Sequence, residues 1–149
     1  MATRQHLPHT AGSSPRCPVS FALDMFGDRW SLLLIRDMML FDKQRYGEFL
    51  ASGEGISTNI LADRLKQMQH LGLVEKFPDP GNGKASLYLL TDQGLSLFPI
   101  LLEIIRWGLQ HDDHAVVSPQ VAAALTGDSA SLAKDITERI TARRQALQH

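Results

Sequence analysis

The feature that most constrains this chain is a change of hydrophobic period near its middle. Ile60, Leu61, Leu65, Met68 and Leu71 recur at helical spacing. Leu73, Val74 and Phe77 then begin a β-prone run that resumes from Ser86 to Leu90 after the turn-dense Pro78-Asp79-Pro80-Gly81-Asn82-Gly83. Ser57 suits the N-cap of that helix and Gly72 its C-cap, so a helix is expected from Ser57 to Leu71.

Three shorter helical segments precede it. Pro18 opens one with Val19, Ala22, Leu23 and Phe26 at helical spacing, and Gly27 stops it. Asp28 can cap a second that ends near Leu40, with Trp30, Leu33, Leu34 and Met38 on its apolar stripe and Arg36 and Asp37 outside it. Tyr46, Phe49 and Leu50 supply one or two turns of a third. After the hairpin, Thr91 can cap a long apolar helix from Asp92 to about Gln110, in which Pro99 should cause a bend. Beyond it, Ser118-Pro119 starts and Gly127 stops a short helix. A last helix follows, with Leu132, Ile136, Ile140 and Leu147 on one stripe and Arg139, Arg143 and Arg144 near its end.

The expected fold is mainly α with a small β-hairpin: a winged helix-turn-helix domain plus a C-terminal helical extension. With 149 residues the chain has room for one domain and an addition. The expected divisions are a flexible arm over residues 1–16, a DNA-binding and dimerisation domain over 17–111, and the extension over 112–149.

In a winged helix the last helix before the hairpin enters the major groove and the hairpin lies against the backbone or minor groove. With Ile60, Leu61, Leu65 and Met68 facing the core, Thr58, Asn59, Ala62, Asp63 and Lys66 face outward, as does Gln69 at the margin. Asn59 is the best candidate for base readout, since its amide matches the donor and acceptor of adenine, with Thr58 a less selective second. Ser57 leaves a positive helix end for a phosphate, and Arg45, Lys66, Lys76 and Lys84 sit where backbone neutralisation is useful. Fifteen basic side chains oppose sixteen acidic ones, so any attraction to a polyanion is local.

Several ordered motifs resemble the HxlR family of bacterial winged-helix transcription regulators. They are Cys17-Pro18, Phe26-Gly27-Asp28-Arg29-Trp30, Gln44-Arg45-Tyr46-Gly47-Glu48-Phe49, Ile56-Ser57 and Asn59 to Leu65. Leu71-Gly72-Leu73-Val74, Tyr88-Leu89-Leu90-Thr91, Gly94 and Trp107-Gly108 complete the series. The resemblance spans roughly residues 17–108. It implies a homodimer on an inverted-repeat operator, with contacts from the first helix and the helix around Leu95 to Leu109. That second helix also carries more apolar surface than one chain needs. Two departures stand out: Lys84 is the only charge near the wing tip, and the family commonly ends near Trp107-Gly108. The added helix is expected to pack on the dimer or on the partner's wing domain.

Cys17 lies just before a helix, where a thiol pKa can fall. Some members of the family sense oxidants through a cysteine at the matching position, which makes Cys17 a candidate redox residue. The preferred reading is a small buried hydrophobe near the dimer contact. A small-molecule effector is left open. Other signals are weaker. Gly81 to Ala85 lacks the GxxxxGK[ST] spacing of a phosphate-binding loop. His111-Asp112-Asp113-His114 reads as a solvated linker, so no metal site is expected. Trp30 and Trp107 read as core. No signature pairs Cys17 or a serine with His6, His9 or His70, so neither an enzyme nor a cofactor is expected. A single cysteine, with no secretory signal and no apolar run of membrane-spanning length, points to the cytoplasm. The competing function is a winged-helix protein-interaction module without specific DNA binding.

Overall fold

The computed structural model describes residues 15–149; the expected N-terminal arm, but for Pro15 and Arg16, lies outside the described residues. Four helices come first: α1 (Pro18–Phe26), α2 (Arg29–Leu40), α3 (Tyr46–Leu50) and α4 (Thr58–His70). Strands β1 (Val74–Asp79) and β2 (Asn82–Leu90) form one antiparallel hairpin, and α5 (Asp92–Leu95), α6 (Phe98–His111), α7 (Pro119–Thr126) and α8 (Ser129–Leu147) follow. The fold is mainly helical with a two-stranded wing, as the periodicities predict.

Capping explains the boundaries. The Asp28 carboxylate accepts from the backbone N–H of Trp30 and Ser31, Ser57 Oγ from Ile60, Thr91 Oγ1 from Gly94 and Ser118 Oγ from Val121. Gly72, at φ 77°, ends the α4 segment in the left-handed region that glycine tolerates without strain. The main core gathers Leu34, Ile35, Phe49, Leu61, Leu65 and Leu90 around the junction of α2, α3, α4 and the hairpin.

Four expectations about the elements and the core need correction here, and a fifth, on Ile60, below. Asp37 is not outside the α2 stripe: it is 1% exposed, with Arg36 at 2.8 Å and Lys43 at 4.0 Å, and these charges make its burial tolerable. Trp107 is not core: it is 65% exposed and stacks on the His111 ring at 4.2 Å. The helix after the wing is not one bent rod. It is interrupted at Ser96-Leu97, and Pro99 sits in the first turn of α6, where its missing N–H costs nothing. The turn-dense loop is also shorter than its composition suggests. Asp79 pairs with Asn82 across Pro80-Gly81, and the Asp79 carboxylate accepts the Gly81 N–H at 2.9 Å.

The extension packs against both the core and the wing of its own chain. Ile136 and Ile140 are buried in the main core, and Leu147 packs against a second cluster of Phe77, Leu87 and Leu89 on the wing's far face. Each arginine expected at the end of α8 has a local acceptor: Arg139 with Asp42 and the Met39 carbonyl, Arg143 with Gln44 and Arg144 with Asp92.

Candidate nucleic-acid interface

Helix α3, the turn after it and α4 form the helix-turn-helix. The Tyr46 hydroxyl donates to the Thr58 carbonyl at 2.7 Å, fixing the entry of α4 against α3. Leu61, Leu65 and Met68 bury one face of α4, so the opposite face is solvent-exposed by the same 3.6-residue period. Ser57, Thr58, Asn59, Ala62, Asp63 and Lys66 all lie exposed there, while Gln69 is half-buried and bonds back to the Leu65 carbonyl at 3.2 Å. Ile60, expected in the core, is 38% exposed beside Asn59. The side chains of the first turn of α4, Thr58 to Ile60, are thus exposed.

Arg64, which the sequence reading passed over, ties this surface down. It pairs with Asp63 at 2.7 Å and with Asp28, the cap of α2, at 3.6 Å. Burial pushes the Asp28 carboxyl up, but the Ser31 hydroxyl, the N–H groups of Ser31 and Trp30 and the Arg64 charge together hold it below the usual carboxylate range. An arginine one step from an outward aspartate was the available signal, though the contact with Asp28 spans 36 residues and has no local signature.

The wing supplies the second part. Lys76 and Lys84 are both exposed, and the Lys76 ammonium stands 6.0 Å from the centre of the Tyr88 ring. Arg45, half-exposed, lies between α3 and the wing. Its Nε donates to Asp79 at 2.8 Å, its guanidinium is 3.7 Å from Glu48, and its backbone bridges to Leu87. The Arg45 charge and the Gly81 N–H hold the Asp79 carboxyl below its ordinary value. Arg45, Tyr46, Lys84 and Ser86 line a groove of about 540 Å³ between α3 and the wing. The structure thus brings Arg45 and Lys84 together and sets Thr58, Asn59, Ala62, Asp63 and Lys66 on a neighbouring surface. Cys17, the N-cap of α1, is exposed in the single chain and stands apart from these residues.

A family model described as HxlR-like helix-turn-helix matches residues 25–116. The chain is 34% identical over 90 residues to the HTH-type transcriptional regulator MT3179 of Mycobacterium tuberculosis, covering 60% of this chain and 56% of that one. It therefore spans little more than half the length of that curated relative. Among solved structures, PA1607 matches at 39% identity and a TM-score of 0.61, over 68% of this chain and 71% of the other. The redox regulator HypR in its oxidized form matches at 30% identity and a TM-score of 0.58, over 64% and 97%.

Proposed function

This chain belongs to the HxlR-like helix-turn-helix family, and from that premise we propose that it is a cytoplasmic transcriptional regulator binding double-stranded DNA as a homodimer on an inverted-repeat operator. The observation that carries this reading is the uncovered first turn of α4, with Asn59 at its centre and the basic wing and α3 groove beside it. In this reading residues 17–111 form the DNA-binding and dimerisation domain. Asn59 reads a base edge, with Thr58 beside it. Ile60 and Ala62 give apolar contact of the kind a thymine methyl accepts, Asp63 orders Arg64, and Ser57 caps a helix end that can face a phosphate. Lys66, Lys76, Lys84 and Arg45 neutralise the DNA backbone.

The homodimer rests on apolar surface left uncovered. No residue of α1 is buried, and its exposed Val19 and Leu23 are matched by exposed Ile104 and Trp107 on α6. Two α4 helices related by a dyad would then lie roughly 34 Å apart, about ten base pairs. Response to redox rests on exposed Cys17 and on the similarity to HypR. An oxidant such as diamide would take two electrons and two protons from the Cys17 thiols of two subunits and leave a disulfide between them.

The test is binding of the full chain to DNA from its own upstream region, titrated in salt, with and without diamide. A specific complex that weakens steeply with salt supports the reading, because neutralised phosphates release counterions. Loss of that complex on oxidation in wild type but not in Cys17→Ser assigns the redox response; no effect of oxidant removes it. Absence of a specific complex on this DNA and on a random-sequence pool favours an interaction module, for which the formal net charge of −1 is the supporting observation.

A further inference from the structure

The helical extension encloses space as well as covering the wing. A cleft of about 820 Å³ lies where α7 and α8 meet the end of α2 and the middle of α6. Met39, Ile105, Val117, Val121, Leu132 and Ile136 line it, and its volume falls in the range that holds a small organic ligand. Phe41 and Val116 stand at its edge as large exposed apolar side chains, Val116 at 89%.

The charges around the cleft are unevenly satisfied. Arg139 spends its guanidinium on the Asp42 carboxylate and the Met39 carbonyl, and Arg36 spends its own on Asp37 and Glu54, both at 2.8 Å. Lys43 adds a third cation beside Asp37. Arg29 shares Glu54 at 3.8 Å, and of the two carboxylates that line the cleft, Asp42 and Asp135, Asp135 alone has no ion-pair partner among the described residues. An apolar wall with one unpaired carboxylate at its exposed side suits an apolar compound carrying a protonated amine.

We propose that this cleft is a binding site for small apolar amines, and that α8 transmits its occupancy to the wing. Leu132, Asp135, Ile136 and Arg139 belong to the cleft, and further along the same helix Arg143, Arg144 and Leu147 reach Gln44, Asp92 and the Phe77–Leu87–Leu89 cluster. A rigid helix touching both places moves at one end when its other end is displaced. The site itself stands on the cleft; its use in regulating an operator rests on the proposed DNA-binding function.

The experiment is calorimetric titration of the full chain, without DNA, using phenylpropylamine, phenylpropanol and phenylpropionate, paired with amide hydrogen exchange. The amine should bind about threefold or more tighter than the other two, as expected for a solvent-exposed ion pair. Asp135→Asn, at an exposed position, should abolish that preference while leaving phenylpropanol binding unchanged. Val117→Trp, which fills the cleft, should weaken all three. Exchange should slow in α8 and in both wing strands when the amine is bound. Equal binding of the three probes, no binding, or an amine preference that survives Asp135→Asn would overturn the site. Exchange unchanged in the wing would overturn the transmission. Since no DNA is present, failure to form an operator complex leaves these outcomes intact, and failure of the site leaves the operator complex intact.

Discussion

Under the proposed function Asn59 and Arg45 do different work. Asn59 is exposed, and in the proposed reading its amide meets a base edge. Asn59→Ala should therefore relax base preference at one operator position and cost ~1–3 kcal/mol there. Binding measured across single-base operator variants checks this. Arg45→Ala should weaken all sequences alike and flatten the salt slope, and equal losses across sequences for both variants would contradict the assignment. Arg45 also holds Asp79, which gives the pair a pH signature. The Asp79 carboxyl is depressed in the fold, so its contribution to stability is present above the unfolded carboxylate range and disappears as pH falls through the lowered value. Denaturant unfolding of wild type and Asp79→Asn should show a constant gap above about pH 5 that closes in more acidic solution. A gap independent of pH would show that the carboxylate charge is not what matters. Asp37, 1% exposed and flanked by Arg36 and Lys43, carries a larger penalty. Asp37→Ala removes a partner from Lys43 and one of the two partners of Arg36, which keeps Glu54, and should cost ~1–3 kcal/mol in the same unfolding measurement.

At the scale of elements, the helices were legible because caps and periods are local. Asp28, Ser57, Thr91 and Ser118 each bond a backbone N–H within three residues, so a short window contains the whole signal. The wing was legible in kind but not in length. Pro80-Gly81 closes a tight turn through the local Asp79–Gly81 bond, and Asp79 is also held by Arg45, 34 residues away. The seating of α5 is likewise set by a distant residue. A Cβ on Gly94 would lie 2.2 Å from the Leu73 carbonyl oxygen, so α5 is seated directly on the backbone that enters β1. Gly94→Ala should therefore destabilise by ~1–3 kcal/mol, the range of an overpacked core, despite alanine's better helix propensity. Thermal unfolding would read this, and an increase in stability would show that the contact relaxes freely. Proline 99 should matter less, since it occupies a first-turn position without a backbone bond to lose.

At the scale of the whole molecule, α8 behaves as a brace on its own chain. Ile136 and Ile140 enter the main core while Leu147 covers the wing, so the helix joins the two clusters. Ile140→Ala should cost ~2–5 kcal/mol and loosen the wing as well as α8, which hydrogen exchange in β1 and β2 would detect. Loss confined to α8 would show that the brace is not coupled to the wing. The amphipathic stripe foretold that this helix needs a surface, but the stripe is equally consistent with its own chain and with a second copy. The sequence by itself determined the element order, the caps, the change from helix to hairpin and the outward face bearing Asn59, because each depends on residues a few positions apart. The tertiary structure alone decided that Ile60 and Trp107 face solvent, that Asp37 is buried, that Arg64 anchors α4 to α2, and where α8 lies. Burial is a relation between a side chain and whatever packs against it, and in these cases the neighbour comes from a distant part of the chain or is missing altogether.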